Sequence, residues 1–531
     1  MDVPHDGHPR RWTILGVLVV SLLVVVLDNT VLNVALKTIA DPRVGLGASQ
    51  SELQWAINSY TLVFAGLLFT AGILGDRFGR RRVLIVGLVL FALASLASAY
   101  AQDPTQLIVA RGLMGIGGAA IMPVTLSIIA NVFDPRERGR AIGVWAGAVG
   151  LAVAIGPVVG GLLLERFWWG SVFLINVPII AAGLVGVVLL VPESRDPSPG
   201  RLDLVGVTLS VVGLGVLVYG IITGGDSGQW GEPRVWGSIA AGLLVLATFV
   251  AVELRSTHPA LDVRLFRDPR FSAATAAVGL SFLAAMGVMF ASAFYLQLVR
   301  GLSPLQTGLL FLPFAAAQLF FAPRSARLVQ RYGPKAVCAV GLSLITLTLG
   351  SFALVTADTP IWVLAAVFFV QGAGMANVIP PTTEAVMSTL PREKAGVGSA
   401  VTNTIRQVGG ALGVAVLGSV LSEVYRTSIA GGLAALPEAA RAAAAESVSG
   451  AYAVAARIGG PDGDALTAAA DDAFVRAMHW AAGGASVAAL VGVLAVLRWL
   501  PRESARHAPV PVQPAAMGAG EGRLVDVSSS G

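Results

Sequence analysis

Charge is what this chain is shortest of. Asp, Glu, Lys and Arg make up only 13% of its 531 residues, about half of what a soluble globular domain carries. Cysteine is all but absent: Cys338 stands alone, which excludes an intrachain disulfide framework and a cysteine-ligated metal centre. Five histidines are scattered without metal-ligand spacing, and no Ser/His/Asp set marks an enzyme. There is no Walker sequence, so the chain does not itself hydrolyse ATP. The string "GIGGAA" (115–120) fits G-x-G-x-x-A, but no strand precedes it and it lies inside an apolar helical run, which excludes a dinucleotide site.

What fills the space is hydrocarbon. Hydrophobic residues make up 55% of the chain and the mean hydropathy is +0.76, with many runs of about 20 apolar residues, enough to cross a bilayer core. The expected class is an all-α polytopic membrane protein. Breaks at charged, Pro or Gly clusters give fourteen spans, near 12–36, 53–74, 83–101, 105–130, 141–164, 171–191, 203–222, 235–253, 271–297, 304–323, 336–356, 361–384, 396–422 and 477–499. The first is too long for a signal-peptide core and carries Asp28, Asn29 and Asn33 with no small-residue cleavage site, so it is read as an uncleaved span.

The net charge of +5 is no polyanion stripe, because the basic residues sit in short loops, and no nucleic-acid partner is expected. With the N-terminus inside, inner segments hold about 25 Lys and Arg and outer ones about 9, which predicts a plasma-membrane protein with both termini cytoplasmic.

Composition divides the chain into a six-span bundle (1–191), a polar linker with two further spans (192–255), a second bundle (256–502) with a long extracytoplasmic loop (423–476), and a low-complexity tail (503–531). The Ala-rich stretch 438–457 of that loop is expected to form helices over the outer mouth, between breaks at Pro437 and Gly459-Gly460. "DRFGR" (76–80) is echoed by "RYGPK" (331–335), a sign of two related bundles.

Three groups of residues carry the chemistry. The first is "GILGDRFGRRR" (72–82), a tight turn between the second and third spans. Gly72, Gly75 and Gly79 permit close backbone approach, and Asp76 with Arg77 and Arg80 can form a charged latch. The second lies on the fifth span, where small residues step by three and four through Gly143, Gly147, Gly150, Ala154, Pro157 and Gly161, with Gly156 and Gly160 beside them. That face allows main chains to touch, and Pro157 bends it. The third is buried charge. Asp28 is the one carboxylate well inside a span, about 12 Å from its outer end, and Arg111 lies about 10 Å from the outer end of the fourth span. The two can pair at one depth, and Arg406 falls near mid-membrane. Charges placed there are expensive and are functional candidates. A polar-aromatic set, Asn33, Trp55, Asn58, Tyr60, Tyr295, Gln297, Gln318, Asn377 and Arg406, is expected to line a substrate cavity.

Together these strings resemble the major facilitator superfamily, in particular its fourteen-span drug:proton antiporters of the EmrB/QacA type. "LDNTVLNVAL" (27–36) resembles the first-helix motif, with Lys37 where Pro is often found. Arg111 with Gly115 and Gly118 fits the fourth-helix motif, "GAVGLAVAIGPVVGG" (147–161) the antiporter motif, and "FLINVP" (173–178), "LDVRLFRDPRF" (261–271), "YLQLVRGLSPLQTG" (295–308) and "NTIRQVGGALGVA" (403–415) further signatures. The resemblance implies two six-helix bundles with two inserted helices and proton-driven export of amphipathic drugs, antiseptics or antibiotics by alternating access. It also implies a proton-transfer role for Arg111, and Asp28, the one deep carboxylate at the same depth, is expected as its proton-coupling partner. No cofactor is expected beyond the proton gradient, a monomer is expected to suffice, and the partners are a small molecule, protons and the bilayer. The ninth to eleventh spans hold no acidic residue, which favours a neutral or singly charged substrate. Two alternatives stay open: a dedicated exporter of an endogenous metabolite or self-made antibiotic, and a non-transporting scaffold or lipid scrambler.

Overall fold

A computed structural model describes residues 8–196, 202–256, 261–389, 395–434 and 436–500. The expected tail 503–531 lies outside them. The first bundle comprises α1 (Arg11–Ala40), α2 (Gln50–Phe78), α3 (Arg80–Ala99), α4 (Pro104–Val132), α5 (Pro135–Arg166), the short α6 (Ser171–Leu174) and α7 (Asn176–Leu190). Two further helices follow, α8 (Leu204–Ser227) and α9 (Pro233–Arg255). The second bundle comprises α10 (Pro269–Phe294), α11 (Pro304–Ser351), α12 (Ile361–Ala376), α13 (Ile379–Ser388), α14 (Ala395–Ile429), α15 (Glu438–Glu446), α16 (Val448–Ile458) and α17 (Gly460–Trp499).

The helix starts are written locally. Ser49 with Glu52 and Ser303 with Gln306 form capping boxes on α2 and α11, and Asp103 and Asp268 cap α4 and α10 just ahead of Pro104 and Pro269. Among the described residues, thirteen helices, some of them joined segments, are long and apolar enough to span a membrane. The longest accounts for the fourteenth span: α11, with 48 residues, would be about 70 Å long if straight. It breaks instead at Gly333, whose φ of 79° and ψ of 159° leave the helical region, with Pro334 beside it. Gly79, between α2 and α3, has φ 110°. The two echoed motifs therefore build the same device, a positive-φ glycine after an aromatic residue, at the same face of the protein.

That face, where α1 begins and α17 ends, is here called the terminal face, and the other the distal face. The distal segment 423–476 carries helices over the expected stretch 438–457 and is helical on either side of it as well. α14 runs on to Ile429, α15 and α16 follow from Glu438 to Ile458, and α17 already starts at Gly460, after the break at Gly459 (φ 65°) and Gly460 (φ 59°). The inserted helix α8 packs on both α2 and α14. Val218 and Ile222 of α8 form a small core with Leu62 of α2 and with Ala411 and Ala415 of α14.

Candidate functional site

Asp28 and Arg111 meet inside the first bundle, as the depth count allows. A guanidinium Nη1 of Arg111 pairs with Asp28 Oδ2, and the two side chains are 0% and 1% exposed. Arg111 Nε also donates to the Ala56 carbonyl at 3.0 Å, and its guanidinium lies 4.5 Å from the centre of the Tyr60 ring. The other carboxylate oxygen, Oδ1, accepts from Asn176 Nδ2 at 3.1 Å; the same amide reaches Ser95 Oγ at 2.9 Å, and Ser95 donates to the Phe173 carbonyl at 3.0 Å. Five helices thus contribute to the cluster around this pair. An isolated ion at this depth would cost several kcal/mol, so each partner depends on the other and on these neutral dipoles. Asn176 and Ser95 were not singled out by sequence, although an Asn inside "FLINVP" was a visible polar interruption of an apolar run.

The glycine turn is held by the linker that follows α7. Asp76 pairs with Arg80 at 2.8 Å one helical turn away. The Arg80 amide donates to the Ser194 carbonyl and the Asp196 amide to the Asp76 carbonyl. Glu193 accepts from the Arg81 amide at 3.1 Å, and a Cβ on Gly79 would come within 2.6 Å of its Oε1, so glycine is required there twice over. Gly75 faces Val124, Gly72 has room to spare, and Arg77 is exposed beside Phe78.

The small face of α5 is used unevenly. A Cβ on Gly161 would run into the main chain of Leu305, and one on Gly308 of α11 would run into the Pro157 carbonyl. Gly156 and Gly160 press on Thr30 and Val31 of α1. Toward the terminal face the contact fades: a Cβ on Gly150 would lie 3.4 Å from Leu319, and one on Gly147 or Gly143 would meet nothing within 4 Å. Among the described side chains, the hydrogen bonds joining the two bundles all lie at the distal face. Lys37 Nζ donates to the Gln297 carbonyl at 2.6 Å, Gln297 Nε2 donates to the Val34 carbonyl at 2.8 Å, and Ser303 donates to Glu165 at 2.6 Å. A π-helical turn at Tyr295–Val299 ends α10 and sets Gln297 against α1.

The other polar-aromatic candidates divide by place. Asn33 donates to the Asn29 carbonyl on its own helix, Trp55 packs against Tyr219 of α8, and Tyr295 donates to the Thr356 carbonyl within the second bundle. Asn377 donates to Ala373 at the α12–α13 break, and Gln318 lies half-buried on α11. Asn58 is fully buried with neither amide atom hydrogen-bonded. Arg406 lies 5.5 Å from the Phe282 ring centre. The structure brings Tyr60 to the ion pair and Gln297 to the seam; it does not gather all nine around one point.

Comparison with known proteins gives this arrangement relatives. Residues 18–414 match the Major Facilitator Superfamily. The chain is 37% identical over 448 residues to the multidrug efflux pump LfrA of Mycolicibacterium smegmatis, covering 84% of this chain and 88% of that one. It is 36% identical over 421 residues to the tetracenomycin C resistance and export protein of Streptomyces glaucescens, covering 79% and 78%. Among solved structures, a bacterial homolog of the human lysosomal transporter Spinster, inward-facing and occupied, superposes with a TM-score of 0.66 at 18% identity, over 92% of this chain and 97% of that one.

Proposed function

The chain belongs to the major facilitator superfamily, and from that premise we propose that it is an efflux transporter that exports amphipathic drugs or antibiotics in exchange for protons. It is a multi-pass membrane protein and not an enzyme. The efflux pumps and antibiotic export proteins among its relatives support the cargo class. In this reading the terminal face is cytoplasmic, as the distribution of Lys and Arg suggests. The distal face is then outside and closed, with the α5–α11 packing and the Lys37–Gln297 exchange as its seal. The two bundles, 1–191 and 256–502, move about the central pair of seams, and one chain suffices.

The observation that carries the proposal is the Asp28–Arg111–Asn176 cluster. A protonated Asp28 no longer holds the Arg111 charge, so gain or loss of one proton changes the helix packing around α1 and α4. Asp28 takes a proton in the outward-open state and gives it up inward. Asp76, Arg80 and their glycines serve the inner gate, and Asn58, Gln318 and Arg406 face the cargo route. In proteoliposomes carrying a pH gradient, wild-type protein is expected to concentrate drug while acidifying or alkalising the lumen in step. Asp28→Asn should abolish that accumulation while still binding drug; accumulation at the normal rate would place the proton site elsewhere.

A second reading has support of its own. Several relatives are named as resistance or export proteins from Streptomyces, for puromycin and tetracenomycin C and, as a probable transporter, actinorhodin. A dedicated exporter of a self-made compound would use the same machinery, and a resistance profile confined to one chemical scaffold would select that reading.

A further inference from the structure

The second bundle also carries a charge inside a span, and it is held quite differently from Arg111. Arg111 spends its guanidinium on Asp28, on the Ala56 carbonyl and on the Tyr60 ring. Arg406 of α14 is half-buried and rests 5.5 Å from the centre of the Phe282 ring. Among the described residues it makes no hydrogen bond, and no carboxylate lies near enough to offset its charge. Asp28 cannot serve, because Arg111 already neutralises it. A charge at this depth costs several kcal/mol, and Arg406 braces nothing in return.

The packing of α14 fixes which way this guanidinium faces. A Cβ on Gly409 or Gly413 would strike the main chain of α10 at Gly279 and Leu283, so these glycines mark the α10–α14 seam. The peripheral helix α17 closes one side of that seam, where a Cβ on Gly492 would touch Leu280. Phe282 and Arg406 lie on the other side. Further round α14, Gly418 faces Gln54 of α2 and Ser419 donates to the Ile221 carbonyl of α8. By helical periodicity Arg406 falls on the arc between the α10 contact and the α2 contact, away from α8 and α17. It faces the space between the two bundles and not lipid. Gly410, one turn on and against Met286, carries no side chain that could cover it.

We propose that Arg406 is a subsite for an acidic group of the cargo, and that this protein takes aromatic organic monoanions, carboxylic acids foremost. The guanidinium offers a carboxylate two parallel N–H···O bonds, while Phe282 and Met286 meet the apolar body beside it. In this arrangement the missing partner of Arg406 is the cargo itself, which supplies the negative charge on binding and removes it on release. A cation would instead meet uncompensated positive charge in a low-dielectric space. The proposal rests on the export reading for the claim that the bound acid is cargo.

The test is equilibrium dialysis of labelled naphthoate, and of its primary amide naphthamide, against the purified full-length chain in detergent at neutral pH. The two probes share size and shape and differ in charge. Wild type is expected to bind the acid about tenfold more tightly than the amide, and Arg406→Gln, eluting as wild type does, to bind the two alike. Should Arg406→Gln fail to fold, Arg406→Lys decides, since it keeps the charge and loses the fork: the preference for the acid should fall about threefold. Equal binding of acid and amide by wild type, or no binding of either, overturns the subsite. So does a preference left intact by Arg406→Gln, or by Arg406→Lys where it alone folds. Transport of both probes in proteoliposomes is measured in parallel. Export of the amide without acid-selective binding sinks the subsite and leaves the exporter standing. Acid-selective binding that Arg406→Gln abolishes, in a wild type that moves neither probe, sinks the exporter and leaves the subsite.

Discussion

Asp28 and Arg111 are worth more together than either is alone, and this sets what substitution does to stability. Asp28→Ala strands a guanidinium in the bundle and should cost about 3–5 kcal/mol, read as a fall in the melting temperature of the detergent-solubilised protein. Asp28→Asn keeps an acceptor for Arg111 and should cost less, so the two variants separate lost charge from lost hydrogen bonding. Lys37 poses a different question, because it sits at the bundle seam and its acceptor is a main-chain carbonyl. A charge-assisted bond of this type contributes about 1.5–3 kcal/mol. Lys37→Met should shift the population toward an open distal face, seen as longer distances between spin labels on the α1–α2 and α10–α11 connections. Unchanged distances would mean that the α5–α11 packing alone holds the seam. Glu446 offers a prediction in pH. Burial, with Asp226 and Glu52 nearby, pushes its carboxyl above the ordinary range. The protonated form is therefore the one that the docked α15–α16 hairpin favours, and its contribution is lost as pH rises through the raised value. Glu446→Gln should raise the melting temperature at neutral pH and leave it unchanged near pH 4.

At the scale of elements, α5 separates two roles that its sequence pattern merges. Evenly spaced small residues suggest one continuous contact face, but the structure loads only the distal half. Gly161→Leu collides with the Leu305 main chain and should prevent assembly, so little protein reaches the membrane. At Gly147 an added Cβ meets nothing within 4 Å in this conformation. Gly147→Leu should therefore accumulate to wild-type levels in the membrane and fail only in export, when the terminal halves of α5 and α11 must close. Equal expression of the two variants would sink the distinction. Much at this scale was legible in advance. Run lengths and breaks locate the spans, and the positive-φ turns at Gly79 and Gly333 sit on the two motifs that sequence pairs. Counting residues along two helices puts Asp28 and Arg111 at one depth, where they do pair. What was illegible depends on neighbours distant in the chain: Asn176 and Ser95 on the carboxylate, Glu193 against Gly79, and the Lys37–Gln297 exchange, 260 residues apart. A helix boundary is a local competition between hydrocarbon and polar groups, whereas a partner across a bundle is fixed only when all helices have docked. Within 423–476 the Ala-rich stretch 438–457 forms the helices its composition predicts, whereas the run of α14 to Ile429 and the start of α17 at Gly460 were not foreseen. Alanine makes good helix without making it apolar enough to span, so a stretch that reads as loop by hydropathy is helix by propensity.

For the whole molecule, the seam has two flanks and they are built differently. On one side α8 lies across α2 and α14, its Gly66–Val211 and Gly225–Ser419 approaches too close for added side chains. On the other, α5 and α11 touch near the distal face and part toward the terminal face, where Val144, Leu151, Leu319 and Phe320 are exposed. Under the proposed export, an oily molecule in the leaflet beside the terminal face would meet a wall on the first flank and an unglazed window on the second. Its partition coefficient into lipid, and not its concentration in water, would then govern how often the protein encounters it.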